Sequence, residues 1–143
     1  MDRDIQIRNM TLADYDSIYR LWSDTAGMGL RVADDSRAGI QAYLQRNPCT
    51  CFVALRGQST VGAILSGHDG RRGYLYHLAV AESERNRGIG GSLLQAALEA
   101  LAREGICKAA LVVFSDNEVG NRFWERYGFS ERKDLIYRNK ALE

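Results

Sequence analysis

A glycine-rich segment that follows an apolar run holds the residues best suited to bind an anion. Leu78-Ala79-Val80 is apolar, a mainly polar stretch follows over 81–87, and Gly88, Gly90 and Gly91 open a helical pattern. The first amides of a helix have no partner within it, and the aligned peptide dipoles add partial positive charge there. A phosphate or pyrophosphate is therefore the expected ligand, and the glycines let it approach the backbone without meeting Cβ atoms.

Two common nucleotide-binding loops do not fit this segment. A Walker loop needs Gly-x4-Gly-Lys followed by Ser or Thr, and the chain has no such run. A dinucleotide fingerprint needs a third glycine where this chain has Leu93. A plain strand-to-helix turn and a phosphate-binding protein of another family remain as alternatives.

The remainder of the chain predicts one compact domain over residues 1–143 that mixes strands and helices. With 45% hydrophobic and 26% charged residues, 143 residues can bury a substantial core. Hydrophobic periodicity and turn residues give the element order. The predicted elements are a strand at Ile5–Ile7, a helix capped by Thr11, a loop at 25–30, a helix ending near Asn47-Pro48, strands at 51–55, 61–66 and 74–80, a helix closed by Gly105, a strand at 108–114, a helix at 120–127 and a strand at 135–140.

Composition argues against several classes of function. The net charge is +1 with both signs interspersed, so no nucleic-acid partner is expected. Three cysteines and two histidines lack the spacing of a zinc site, so no metal is expected. Met1–Asp4 has no apolar leader, and no run of about 18 apolar residues occurs. We therefore expect neither membrane insertion nor export, and a cytoplasmic location.

Two motifs resemble the GCN5-related N-acetyltransferase (GNAT) superfamily. Arg85, Gly88 and Gly90, after a strand ending in Leu-Ala-Val, resemble its Arg/Gln-x-x-Gly-x-Gly/Ala signature, and Asn117 to Phe129 resembles its Asn-x-x-Ala-x-x-Φ-Tyr-Glu-Lys-x-Gly-Phe segment. The likeness covers essentially the whole chain and is nearest to small single-domain bacterial members. It implies the GNAT α+β fold, a mixed central sheet of about seven strands flanked by four helices, and acetyl-CoA as cosubstrate.

The resemblance also implies which residues hold acetyl-CoA. The end of the strand at 74–80, where family members carry a bulge, would offer backbone groups of Leu78, Ala79 and Val80 to pantetheine and the thioester carbonyl. The following loop would hold the pyrophosphate through Arg85, Asn86, Arg87, Gly88, Ile89, Gly90, Gly91 and Ser92. Asn117 would hydrogen-bond pantetheine, with a helix N-cap as its alternative role.

The reaction that the resemblance implies is direct attack of a primary amine on the acetyl thioester, through a tetrahedral intermediate. The amine must lose a proton. Where family members often carry a carboxylate, this chain has Tyr74, Tyr76 and His77. His77 is the candidate base because imidazole titrates near neutrality, and a core histidine is the alternative. Strand alternation predicts that Tyr76 and His77 face opposite sides of the sheet.

The chain departs from the family where many members protonate the leaving thiolate with a tyrosine. Trp124 stands there, and an indole N–H cannot serve as that acid, so Trp124 is expected only among the residues that contact the cosubstrate. Tyr127 is the remaining candidate acid, or else a packed aromatic residue. Release of a free thiolate costs only about 2 kcal/mol at pH 7, so water can replace the acid. A catalytically weak acyl-CoA-binding module is the alternative function.

The acceptor and the oligomeric state are less determined. The amine could belong to a small molecule, a protein N-terminus or a lysine, and the pattern has some likeness to enzymes that acetylate the N-terminal alanine of a ribosomal protein. Asp34 and Asp35 either cap the second helix or attract a cationic amine. Exposed edges of a mixed sheet would allow a homodimer.

Overall fold

A computed structural model of the chain describes residues 3–142. Met1 and Asp2, on which the expected absence of a leader partly depends, lie outside the described residues, as does Glu143. The elements in chain order are β1 (Ile5–Asn9), a 3-10 turn (Leu12–Asp14), α1 (Tyr15–Ser23), α2 (Val32–Asp35), α3 (Arg37–Arg46), β2 (Phe52–Arg56), β3 (Ser59–His68), β4 (Gly73–Val80), a second 3-10 turn (Glu82–Glu84), α4 (Ile89–Arg103), β5 (Ala109–Ala110) and α5 (Glu118–Arg126).

The strands form one sheet in the order β1-β2-β3-β4-β5. The first four strands pair antiparallel, and β4 pairs parallel with β5. The predicted mixture of helices with a mixed sheet is thus confirmed, but the sheet of residues 3–142 has five strands, where about seven were expected.

Two predicted strands differ from what the structure shows: one is shortened and one does not form. The apolar run at 108–114 forms a strand only at Ala109–Ala110, and the stretch 135–140 forms none. An apolar run indicates burial, but a strand also needs a neighbouring backbone that completes its hydrogen bonds. The β4–β5 ladder supplies that neighbour for two residue pairs, Gly73 with Ala109 and Tyr74 with Ala110.

Helices cover both faces of the sheet. A Cβ atom built on Gly62 would meet the side chains of Leu93 and Ile89, which places α4 against one face. A Cβ atom on Gly67 would meet Tyr43 and the Asn47 side chain at the end of α3, on the other face. On this second face lies a buried cluster made of Met10, Ile18, Leu21, Trp22, Ile40, Cys51, Val53, Leu55, Ala63, Leu65 and Ala79.

The start of α3 differs from the prediction, whereas its end confirms it. Ser36 is the N-cap, and its hydroxyl accepts a hydrogen bond from the Gly39 amide at 3.1 Å. The expectation that Asp34 or Asp35 caps this helix is wrong, because both belong to the preceding one-turn helix α2. The helix ends at Arg46, before Asn47 and Pro48.

The chain divides into two compact units, residues 1–112 and 113–143. The first contains the sheet and α1 to α4, and the second contains α5. None of the described helices is long and apolar enough to cross a membrane. That residues 1–143 act as one domain stays a prediction.

An ion pair ties β1 to the first helical turn. The guanidinium of Arg8 donates two hydrogen bonds to the carboxylate of Asp14, Nη1 to Oδ2 at 2.9 Å and Nη2 to Oδ1 at 2.8 Å. The Thr11 amide also donates to Asp14 Oδ2 at 2.9 Å. Burial alone would raise the pKa of the Asp14 carboxyl, but the bonds from Arg8 and Thr11 outweigh it, and the pKa lies below its ordinary value.

We predict that Asp14→Asn lowers the free energy of unfolding by about 1–3 kcal/mol at pH 7. Because the pKa of the folded state is depressed, this carboxylate stabilises the fold above the pKa of a free aspartate, about 3.9, and that stabilisation is lost as the pH falls through the lower value. Urea unfolding at pH 7 and pH 3 measures the change, and the variant should differ less from wild type at pH 3. Asp16→Asn, at a carboxylate that is 80% exposed, is the control. Equal losses in both variants would contradict the prediction.

Candidate functional site

The segment between β4 and α4 has the backbone shape of an anion-binding loop. Asn86 and Gly88 have left-handed conformations, with φ of 63° and 83°. Gly88 is the N-cap of α4, and the first helical hydrogen bond of α4 runs from the Ser92 amide to the Gly88 carbonyl at 3.1 Å. The amides of residues 89–91 precede that bond and point out of the helix end. A Cβ atom on Gly88 would meet nothing within 4 Å, so the backbone there is open to a ligand.

Side chains on either side hold this loop in place. Glu84 accepts two hydrogen bonds from the Arg56 guanidinium, Nε to Oε2 at 2.9 Å and Nη2 to Oε1 at 2.9 Å. Arg87 Nη1 lies 3.4 Å from the same Glu84 carboxylate. Arg85 Nε donates to the Val80 carbonyl at 3.0 Å, which turns its guanidinium back along the end of β4. Arg56 and Arg85 thereby tie the first part of the loop to the sheet.

A β-bulge lies in β4 just before this loop. On β3, one residue separates Ala63 from Leu65, whereas on β4 two residues, His77 and Leu78, separate their partners Ala79 and Tyr76. His77 has φ of 50°, a left-handed conformation that is unusual for a residue other than glycine. The family-based expectation of a bulge at the end of this strand is confirmed.

The outer side of β4 is open over most of its length. The β4–β5 ladder ends at Tyr74 and Ala110, and no other strand of residues 3–142 pairs with that side of β4. The stretch of β4 that contains Leu78, Ala79 and Val80 therefore has no sheet neighbour on that side, where the Val80 carbonyl accepts the hydrogen bond from Arg85. An extended ligand with amide groups can hydrogen-bond to such an edge as an added strand would.

The bulge turns His77 toward the helices of the second face. Its Nε2 lies 2.8 Å from Oδ1 of Asp35, and its ring centroid lies 5.0 Å from that of Trp22 in an edge-on arrangement. The Tyr76 ring contacts the Tyr43 ring of α3, with 6.1 Å between centroids. The expectation that Tyr76 and His77 face opposite sides is therefore wrong, because the extra residue interrupts the alternation of the strand.

Asp35 is a residue whose role sequence reasoning missed. It is nearly fully buried, with a side chain 5% exposed, and its partner His77 is 14% exposed. The two residues are 42 positions apart, and neither belongs to a motif with the other. The acidic pair at Asp34–Asp35 was the one available signal, and it did not indicate which carboxylate is buried or what it contacts.

Other buried titratable groups near the second face are poor proton acceptors at neutral pH. Burial, with smaller effects of Cys51 and Tyr76, raises the pKa of the Tyr43 phenol. Burial raises the pKa of the Cys51 thiol to about 12, although a hydrogen bond with the Ser66 backbone lowers it. Across residues 3–142, no cluster of three or more His, Cys, Asp or Glu side chains is arranged to hold a metal ion.

The other predicted site residues lie in the second unit. Asn117 caps α5, and its side-chain oxygen accepts a hydrogen bond from the Gly120 amide at 2.9 Å. The Trp124 ring packs against Phe123 and Phe129, with centroids 5.0 Å and 5.3 Å away. The Tyr127 ring lies 4.7 Å from that of Phe123. Asn117 thus has the N-cap role that was its alternative, and the aromatic residues pack on one another within this unit.

Comparisons with known proteins establish the family. Residues 15–129 match the model of the acetyltransferase (GNAT) family. An acetyltransferase of Sodalis glossinidius is 28% identical over 138 residues, 96% of this chain and 96% of the relative. The crystal structure of Ard1 from Thermoplasma volcanium has a TM-score of 0.79 at 25% identity and covers 89% of this chain and 83% of its own.

A second solved structure shares the fold at lower identity. The PaiA N-acetyltransferase of Thermoplasma acidophilum, solved in complex with coenzyme A, has a TM-score of 0.77 at 20% identity, with 91% of both chains covered. The chain described here belongs to the acetyltransferase (GNAT) family. It is therefore an acyltransferase whose cosubstrate is acetyl-CoA, as its motifs predicted.

Proposed function

We propose that this protein is an N-acetyltransferase that moves the acetyl group of acetyl-CoA to a primary amine. The observation that carries this proposal is the joining of two features in one stretch of chain. The open edge of β4 runs directly into the left-handed turns at Asn86 and Gly88 and the free amides at the start of α4. The unpaired edge of β4 can hydrogen-bond to the amides of pantetheine. The amides at the start of α4 can bind a pyrophosphate.

The residues present fit coenzyme A by their chemistry. Backbone groups of Leu78, Ala79 and Val80 would hold the pantetheine arm, and the amides of the loop and of the first turn of α4 would hold the pyrophosphate. The side chains of Arg85 and Arg87 would add positive charge. The residues proposed for the diphosphate are Arg85, Asn86, Arg87, Gly88, Ile89, Gly90, Gly91 and Ser92.

The proposed chemistry forms one carbon–nitrogen bond, breaks one carbon–sulfur bond and takes one proton from the amine. The amine nitrogen would bond to the carbonyl carbon of the acetyl group to give a tetrahedral intermediate, and the carbon–sulfur bond would then break so that the coenzyme leaves as a thiolate. The amine gives a proton to His77. A backbone amide near Leu78 or Ala79 would stabilise the negative charge that develops on the carbonyl oxygen.

Three residues of the second unit complete the proposal. Asn117 and Trp124 would contact the coenzyme, as the family segment that they occupy implies. Tyr127 is the candidate acid for the thiolate, and water protonates the thiolate if Tyr127 does not. A single domain over residues 1–143, a cytoplasmic location and a homodimer likewise stay predictions.

The first experiment measures thiol release from acetyl-CoA with a thiol-reactive dye, in the presence of pooled primary amines and peptides. We expect release that depends on the amine, and a mass gain of one acetyl group in the acceptor identified by mass spectrometry. Coenzyme A binding without turnover on any amine would favour the alternative, a catalytically weak acyl-CoA-binding module. Competition by ATP or NAD as strong as that by coenzyme A would contradict both functions.

We predict that Gly90→Glu weakens coenzyme A binding by at least tenfold. Gly90 is in the first turn of α4 and has no positive φ, so a side chain fits the backbone there, but its carboxylate would repel the diphosphate. Calorimetric titration with coenzyme A measures the change. Ala102→Glu is the matched control, because it adds the same charge to α4 about 18 Å away at the rise of an α-helix. Unchanged affinity in Gly90→Glu would contradict the proposed diphosphate site.

We predict that His77→Gln lowers kcat by about 100-fold or more, the contribution typical of a general base. The KM for acetyl-CoA should change little, because the coenzyme is held by backbone groups elsewhere. Steady-state kinetics on the identified amine measures both values. His68→Gln, at the other histidine of the chain, is the control and should keep the wild-type kcat. A wild-type kcat in His77→Gln across pH 6–9 would remove His77 as the base.

A further inference from the structure

The carboxylate beside His77 is held in one orientation by its own contacts. Asp35 Oδ2 accepts a hydrogen bond from the Arg31 amide at 2.8 Å, while Oδ1 lies 2.8 Å from His77 Nε2. The backbone of Asp35 is fixed as well, because its amide donates to the Arg31 carbonyl at 2.7 Å. Its carbonyl accepts from the Tyr15 hydroxyl at 2.7 Å. Each oxygen of the carboxylate therefore has a separate and fixed partner.

This arrangement determines which imidazole nitrogen carries the proton. An ionised carboxylate can only accept hydrogen bonds, so the Nε2 that faces Asp35 must be the protonated nitrogen. In the neutral ring the other nitrogen, Nδ1, then has a free lone pair. Among residues 3–142 no group forms a hydrogen bond with Nδ1. The ring therefore presents an acceptor away from Asp35.

The other groups packed around the His77 ring are aromatic or apolar. Trp22 contacts it edge-on, and the Tyr76 ring centroid lies 6.4 Å from that of His77. On α3, the guanidinium of Arg37 lies over the Tyr15 ring at 5.3 Å, and it pairs with Asp16 at 3.6 Å. The residues of β3 opposite the bulge are apolar. Asp35 is thus the charged group in direct contact with the imidazole.

We propose that Asp35 is a positioning residue for the transfer reaction: it holds His77 through Nε2, so that Nδ1 receives the proton of the attacking amine. This inference rests on the proposed function. The amine nitrogen loses a proton to Nδ1 as its bond to the acetyl carbon forms, the coenzyme leaves as a thiolate, and the imidazolium returns the proton to solvent. The Asp35 carboxylate keeps its contact with Nε2 and stabilises the imidazolium.

The strained backbone of His77 agrees with this role. A left-handed conformation in a residue other than glycine is unfavourable and persists only where the surroundings enforce it. Here the φ of 50° directs the side chain to Asp35 and Trp22. Such strain recurs at functional sites, where it fixes the direction of a reacting side chain.

Asp35→Asn tests the inference with almost no change of shape. The Arg31 amide still needs an acceptor, so the side-chain oxygen of the asparagine stays there and its NH2 group faces His77 Nε2. The histidine must then accept with Nε2 and carry its proton on Nδ1. We expect the imidazole ¹⁵N spectrum of His77 to change from the Nε2–H to the Nδ1–H tautomer. We also expect kcat to fall by about 100-fold or more while the KM for acetyl-CoA changes less than threefold.

The chain offers a matched control in its other histidine–carboxylate pair. His68 Nε2 lies 2.8 Å from Glu104 Oε1, and His68 Nδ1 accepts from the Gly70 amide at 3.0 Å. Glu104→Gln removes the same charge from the same kind of pair, and it should leave kcat and the His77 signals unchanged. Because the chain has two histidines, His77→Gln assigns the spectrum.

The outcomes separate this inference from the proposed function. A tautomer change together with a loss of kcat supports the positioning role. An Nε2–H tautomer that persists in Asp35→Asn, or a kcat within threefold of wild type, overturns it. A fall in the melting temperature with neither effect shows a structural clamp and also overturns it. Failure of the proposed function would appear in the wild-type protein itself, as the absence of amine-dependent thiol release.

Discussion

One additional residue in β4 determines the geometry of the candidate site. The pairs Leu65–Tyr76 and Ala63–Ala79 leave one residue on β3 opposite two on β4. In a regular strand, adjacent side chains point to opposite sides of the sheet. With Tyr76 on the face of α3, the His77 side chain would then point to the other face, toward α4. The bulge instead keeps both side chains on the face that carries Trp22 and Asp35, and the contacts described for the imidazole depend on it.

Most of the proposed coenzyme site is made of main-chain atoms. The edge at Leu78–Val80 and the amides of Ile89, Gly90 and Gly91 contribute hydrogen-bonding groups that every residue except proline possesses. Such a site depends on backbone shape, which a few glycines and a bulge can maintain while side chains vary. This agrees with the relative from Sodalis glossinidius, which aligns with 96% of the chain although the two share 28% identity.

The sequence predicted the parts of the site that lie close together along the chain. The strand at 74–80, the glycine loop and the helix after it are local, and their turn residues and periodicity identify them. The pairing of strands was harder to predict. The apolar run at 108–114, for example, does not indicate that its hydrogen bonding to β4 ends after two residue pairs. The contact of Asp35 with His77 depends on how a one-turn helix packs on the sheet. Local patterns contain no information about a contact across 42 residues.

The bidentate contact between Arg56 and Glu84 has a consequence for the energetics of ligand capture. Glu84 lies in the 3-10 turn that leads into the loop, and Arg56 is the last residue of β2. A loop that is ordered only when its ligand arrives loses conformational entropy at that moment, which weakens association. Here the chain gives up that freedom during folding, when the pairing of β3 with both β2 and β4 brings Arg56 and Glu84 together. The loop is therefore already ordered when acetyl-CoA binds, and the affinity for acetyl-CoA is not reduced by an entropy cost of ordering the loop.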